Sequence, residues 1–195
     1  VPAADGLHFE DESHTYRVDG VKVPGVTSVL DPYSGLQFVD PAILAAAAEL
    51  GTHVHLACHL HNEERLDWAA LDPVLEPYVR AWAKFLEDVG AVVIESERRV
   101  YSARHGFAGT LDTVLAWGRS NRLVDTKSTA AVPKTVGPQT AAYGEAYAEE
   151  TGRRLRDRYC VHLKPDGSYT LTPLKDPNDW QIFKAALVLH RWLGR

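Results

Sequence analysis

Cysteine is scarce: Cys58 and Cys160 are the only two in 195 residues. Two distant thiols cannot build a disulfide framework, and they exclude a four-cysteine iron–sulfur cluster within the chain. A reducing cytosol is therefore the expected compartment. Long apolar runs are also missing. Residues 43–50 are alanine-rich, but the stretch is broken by Glu49 and falls far short of the ~20 residues a membrane-spanning helix needs. The opening Val1-Pro2-Ala3-Ala4-Asp5-Gly6 has neither a basic nor an apolar region, so no secretory signal is expected. Positive charge is not in excess, with 21 Lys and Arg against 26 Asp and Glu and a net charge of −5. That balance argues against a generally basic coat for nucleic acid. It leaves room for an acidic metal site with contacts confined to one basic groove. Arg98, Arg99, Arg104, Arg153, Arg154, Arg156 and Arg158 are candidates for such a groove, although each taken singly reads first as a solvated surface residue. No phosphate-cradling loop of the Gly-x4-Gly-Lys-Ser/Thr type occurs, so the chain carries no helicase motor.

What is present fits one α/β domain spanning residues 1–195, with the hydrophobic (45%) and charged (24%) content of an ordinary globular protein. Residues 8–23 read as a hairpin turning at Asp19-Gly20. Residues 26–30 form a short extended or helical piece. Asp40-Pro41 supplies an N-cap and first helical residue for a helix over residues 43–61, interrupted at Gly51. A second helix is predicted over residues 77–89, burying Val79, Trp82, Ala83, Phe85 and Leu86 and stopping at Gly90. Residues 91–101 look β-like, and residues 107–127 form a hairpin through the polar turn Gly118-Arg119-Ser120-Asn121. After a loop over residues 128–138 come a helix over 139–150, a hairpin over 156–174 with its turn at Pro165-Asp166-Gly167, and a last helix opened by Asp176-Pro177. This order predicts a central mixed sheet flanked by helices.

The chemistry concentrates in that central hairpin. Asp125 and Lys127 are two apart and project to one face of a strand. Asp112 lies on the strand before, so a suitable register brings all three together. Two carboxylates beside a lysine are what a Mg²⁺-dependent phosphodiesterase needs: oxygen ligands for a hard cation and an ammonium to act on water or on phosphate charge. A D-x-K triplet is common as a simple ion pair. Here the charges sit in an apolar hairpin, where burial carries a cost that a bound cation could offset. Upstream, His53, His55, His59 and His61 crowd one helical segment. His53 and His61 read as surface or packing residues, and His59 divides evenly between packing and support of the site. His55 stands one turn after Gly51, a residue that permits close approach of a neighbouring element. A zinc hydrolase using His55 and His59 lacks its glutamate base, because the segment reads His55-Leu56-Ala57-Cys58-His59.

Taken in order, Gly51-x-x-x-His55, a glutamate at Glu95 or Glu97, Gly109-x-x-Asp112, Asp125-x-Lys127 and Gln139-x-x-x-Tyr143 resemble the PD-(D/E)XK nuclease superfamily, most closely its RecB-type exonuclease branch. The segments Tyr16-Arg17-Val18-Asp19-Gly20 and Val23-Pro24-Gly25-Val26-Thr27-Ser28 look like the start of phage-borne members. The resemblance implies a restriction-endonuclease-like α/β core and a Mg²⁺- or Mn²⁺-dependent DNA exonuclease without an iron–sulfur cluster. It implies His55, Asp112, Asp125 and the Thr126 carbonyl as metal ligands and Lys127 as the catalytic lysine. Gln139 and Tyr143 would line the site and meet DNA, although the same spacing also describes an ordinary amphipathic helix. Glu95 and Glu97 share strand parity, and Glu97 is the preferred site residue. Leu111 stands where many relatives have proline. Implied partners are DNA and a strand-annealing protein or a helicase in trans, in phage-type recombination in the cytoplasm. The alternatives are an endonuclease of the same superfamily and a non-catalytic nucleic-acid-binding member.

Overall fold

The computed structural model describes residues 6–10 and 13–194. Strands β1 (Leu7–Glu10), β2 (Thr15–Val18) and β3 (Val21–Val23) form a small antiparallel sheet in that order. The expected hairpin is its β2–β3 half, with Asp19 and Gly20 both at positive φ, 50° and 79°, as a two-residue turn between twisted strands requires. The first part of the expected segment, residues 8–10, belongs instead to a separate strand that pairs with β2. Tyr16 is buried, and a Cβ on Gly25 would lie 3.3 Å from its ring. The chain beyond Tyr16 thus passes close to the tyrosine before helix α1 (Val26–Leu30).

Helix α2 (Pro41–Asn62) is capped as its sequence predicts, with the Asp40 carboxylate accepting from the Ala42 amide at 2.8 Å. It is not interrupted at Gly51 but runs straight through. A mid-helix glycine costs only about 1 kcal/mol, and the helix is held by packing of Val54, Ala57 and Cys58. The approach at Gly51 is also ordinary, since the nearest atom to a Cβ there would be Ser128 Oγ at 3.9 Å. Helix α3 (Glu76–Val89) closes on Gly90 at φ 59°, burying Val79, Trp82 and Phe85.

Strands β4 (Val92–Ser102), β5 (Phe107–Trp117), β6 (Ser120–Lys127), β7 (Asp157–Leu163) and β8 (Tyr169–Pro173) form one sheet in sequence order. Only β6 and β7 pair in parallel. A parallel pair needs a long crossover, and α4 (Val136–Thr151) provides it. This helix starts three residues before the expected Gln139, with Pro138 in its first turn, where a missing amide proton costs nothing. Helix α5 (Asp179–Trp192) closes the fold. One face of the sheet packs on α1, α4 and α5 through Leu111, Val114, Tyr147 and Phe183. The other packs on α2 and α3 through Val54, Trp82, Leu115 and Val124. The result is the predicted α/β class, a mixed five-stranded sheet between helices, joined to the small sheet by the Ala108 amide donating to the Pro24 carbonyl at 2.9 Å.

The alternation of this sheet fails twice, at a register shift between Val93 and Glu95 and again just beyond it. In β4, Glu95 and Arg98 both reach Tyr147 of α4, while Ser96 and Glu97 between them both reach α2. Glu97 has φ 49°. In β5, Leu111 and Val114 belong to the same core layer although they are three apart. The register pairs Ser96 with Thr113 and Arg98 with Leu111, which sets Glu97 opposite Asp112 at the kink.

Candidate metal centre

Five elements meet at this kink. Helix α2 delivers His55, β4 delivers Glu97, β5 delivers Asp112, β6 delivers Asp125, Thr126 and Lys127, and α4 delivers Gln139 and Tyr143. His55 Nδ1 lies 3.4 Å from Glu97 Oε1 and 3.6 Å from Asp112 Oδ2, and one ligand atom from each of the three falls within 4.8 Å of the others. His55 Nε2 donates to the Thr126 carbonyl at 3.1 Å. Both ring nitrogens therefore face oxygen acceptors. Burial works against the imidazolium, but the Asp112 charge and the Glu97 hydrogen bond outweigh it and hold the pKa up at about 9.

Asp112 is fixed by the strand beside it. Its Oδ2 accepts from the Thr126 amide at 2.7 Å and from the Thr126 hydroxyl at 3.1 Å. Thr126 thus serves the site with amide, hydroxyl and carbonyl together, and its carbonyl is engaged by His55. Asp125 and Lys127 share a face as their spacing predicts, with Nζ 2.6 Å from Oδ2. Asp125 is 1% exposed, and among the described residues its Oδ1 faces no hydrogen-bond donor. Burial first, then the Asp112 charge, push its carboxyl up to about 6 against the pull of Lys127. Burial would lower Lys127, but Asp125 and Asp112 reverse that and keep the ammonium charged well beyond neutral pH. Asp125 stands beside the cluster of His55, Glu97 and Asp112 rather than within it.

The kink separates Glu95 from Glu97. The two do not share a face, contrary to their parity in sequence. Glu95 accepts from the Tyr147 hydroxyl at 3.0 Å and pairs with Arg98 at 2.6 Å, while Glu97 faces His55. Gln139 and Tyr143 are neighbours on α4, with the amide donating to the phenol at 3.3 Å. The Tyr143 ring lies against Gly109, where a Cβ would fall 2.4 Å from Cε1. Burial raises the Tyr143 phenol well above its ordinary value, so it stays neutral.

Other candidates separate. His53 is exposed, and His61 stands edge-on to Trp68. His59 meets Ser96 Oγ at 2.9 Å, and among the described residues it is not one of the three that gather as His55, Glu97 and Asp112. Ser96 and Asn62 join the surroundings of the centre through that contact, and no sequence pattern marks either. Of the seven arginines, Arg98 is engaged by Glu95 and Glu150, and Arg158 by Asp179. They hold the fold together rather than lining an open groove. Both cysteines are buried thiols, with burial pushing Cys160 up to about 12 and Cys58 higher still. Among the described residues no helix is long and apolar enough to cross a membrane.

No known family model matches the chain, and no curated protein does. Among solved structures, a candidate exonuclease from Eubacterium rectale aligns with a TM-score of 0.52 at 12% identity, over 74% of this chain and 65% of that one. The likeness is one of fold. This chain spans about two thirds of that protein's length. An alkaline exonuclease from Laribacter hongkongensis aligns at 14% identity and a TM-score of 0.45, over 87% of this chain and 86% of the other. The protein SSO0001 aligns at 16% identity and a TM-score of 0.46, over 88% and 75%.

Proposed function

We propose that this chain is a single PD-(D/E)XK nuclease domain of the RecB-like branch, a Mg²⁺- or Mn²⁺-dependent deoxyribonuclease that acts from DNA ends. The observation that carries the reading is the convergence of His55, Glu97 and Asp112 beside the Asp125–Lys127 pair at one kink of the sheet. The donor set fits a hard or borderline divalent cation, with carboxylate oxygens plus one imidazole, the latter making Mn²⁺ an acceptable substitute for Mg²⁺. The buried Asp125 Oδ1, facing no donor among the described residues, is a further oxygen suited to a cation. His55, Glu97 and Asp112 would hold the ion, with Asp125 and the Thr126 carbonyl completing the protein's share. An ion held there would supply Lewis-acid chemistry, activating water and offsetting charge on the phosphate.

The chain's own groups supply the rest. Thr126 fixes Asp112 through two hydrogen bonds and fixes the His55 ring through a third. Support of this kind sets ligand orientation. Lys127, paired with Asp125 at 2.6 Å, would orient or deprotonate the attacking water, or stabilise negative charge on the scissile phosphate. Gln139 and Tyr143 line the substrate side. The product would carry a 5′-phosphate and a 3′-hydroxyl. A strand-annealing protein or a helicase in trans, in phage-type recombination in the cytoplasm, belongs to the same reading.

The test is digestion of end-labelled single- and double-stranded DNA with Mg²⁺, Mn²⁺ or EDTA, with linear compared against covalently closed circular DNA. Linear DNA should be degraded with either metal and spared in EDTA, and closed circles should survive. Lys127→Ala and Asp112→Ala, shown folded by circular dichroism, should each lose at least ~10²–10³ in rate, the usual consequence of removing one preorganised electrostatic group. Wild-type cleavage by either variant removes the assignment.

A further inference from the structure

The residue before Glu97 is gripped by α2. Ser96 Oγ lies 2.9 Å from His59 Nδ1 and accepts from Asn62 Nδ2 at 3.0 Å. Asn62 is itself fixed, because its Oδ1 accepts from the buried Trp82 indole at 2.7 Å. With the Asn62 amide donating to Ser96 Oγ, the hydroxyl hydrogen is left to donate to His59 Nδ1. His59 Nε2 lies 3.6 Å from Glu63 Oε1. Three hydrogen bonds thus link Trp82, Asn62, Ser96 and His59 in series.

The other side of the kink is gripped by α4. Tyr147 donates to Glu95, and Arg98 joins Glu95 to Glu150, whose second oxygen accepts from the Tyr101 amide at 2.8 Å. Between these two sets of contacts stands Glu97 at φ 49°, a conformation that glutamate seldom adopts. Such backbone persists only where its surroundings over-determine it. The helix that grips Ser96 is the one that carries His55, so the grip and the site share a rigid element.

We propose that Ser96, held by His59 and Asn62, is a positioning residue that sets the Glu97 carboxylate against His55 and Asp112. It keeps β4 out of regular alternation, so that two consecutive side chains, Ser96 and Glu97, both meet α2. Without the hydroxyl, β4 is free to relax toward regular pleating, which turns Glu97 away from the cluster. The proposal rests on the reading of His55, Glu97 and Asp112 as a divalent-cation site.

The test is Mn²⁺ binding by isothermal titration calorimetry on four folded proteins: wild type, Ser96→Ala, Ser96→Thr and Asp112→Ala. Ser96→Ala should weaken Mn²⁺ binding about tenfold, at the low end of the 10–100-fold that loss of a supporting contact costs a metal site. Ser96→Thr keeps the hydroxyl and should bind within a factor of about two of wild type. The Mn²⁺ dependence of cleavage should shift with the same ordering, raising the metal concentration for half-maximal rate more than it lowers the rate at saturation. A merely destabilised protein would show no such split well below its melting temperature. If Ser96→Ala does not fold, His59→Ala removes the same contact from the partly exposed helix side and carries the same expectation. Wild-type affinity in Ser96→Ala, with binding lost in Asp112→Ala, overturns the positioning role and leaves the cation site standing. Equal binding by wild type and Asp112→Ala overturns both.

Discussion

Replacing Gly109 by alanine tests how tightly α4 is seated on the strand that carries Asp112. The added Cβ would lie 2.4 Å from Tyr143 Cε1 and 3.2 Å from both Tyr143 Cδ1 and Val26 Cγ2, where ordinary contact begins near 3.4 Å. The shortfall against the ring is about 1 Å, and the ring has little room to give. Tyr143 is 3% exposed, its hydroxyl is bonded to Gln139, and its helix is packed on the sheet. Overpacking of this kind costs ~1–3 kcal/mol, offset by ~0.5–1 kcal/mol from the smaller unfolded-state entropy of alanine. A net loss of about 1 kcal/mol corresponds to a melting temperature ~2–4 °C lower in a domain of this size. The decisive comparison is a double-mutant cycle with Tyr143→Ala. In that background the clash is gone and the new methyl enters vacated space, so Gly109→Ala should be neutral or slightly stabilising, giving a coupling of about 1–2 kcal/mol. Thermal or urea unfolding of the four proteins measures it. An unchanged melting temperature in the single variant, or an equal loss in both backgrounds, would refute the packing argument.

Three further outcomes are expected. Cation binding should release close to one proton at pH 7.5, because His55, held at about 9, must surrender its Nδ1 proton to become a ligand; titrations in buffers of different ionisation enthalpy read that number, apparent affinity should rise about tenfold per pH unit up to 9, and His55→Gln should abolish the release. In the metal-free protein the same raised value stabilises the fold, with the contribution fully present below the ordinary 6.5 and lost as pH climbs through about 9; a melting temperature that increases over that window would contradict it. Asp179→Ala should cost about 3 kcal/mol, as breaking a buried ion pair does, because it strips Arg158 of a carboxylate 2.9 Å away where α4, β7 and α5 meet; Arg158→Met together with Asp179→Ala should recover part of the loss in urea unfolding.

Local signals in the sequence located most of the elements. The Asp40 cap, the Asp19-Gly20 turn and the Gly90 stop act through neighbours in sequence, and each is where its chemistry puts it. Asp125, Lys127 and His55 were legible for the same reason, since strand parity and helical spacing are short-range rules. The failures are failures of local rules overridden by packing. Gly51 breaks nothing, because tertiary contacts outweigh its propensity, and Pro138 sits inside the first turn of α4 rather than before it. The kink in β4 is invisible to alternation, which is why parity could not separate Glu95 from Glu97. Ser96 and Asn62 left no trace at all, because their meaning depends on a helix and a strand more than 30 residues apart in sequence.

The continuity of α2 has a consequence for how this protein can change. His55, His59 and Asn62 ride on a single unbroken rod, spaced so that one turn reaches the carboxylates and the next reaches the strand beneath them. A residue inserted between His55 and His59 would swing the two turns about 100° relative to each other and uncouple them, whatever its side chain. Substitution can tune this stretch of helix, but a change of length within it forfeits both grips together.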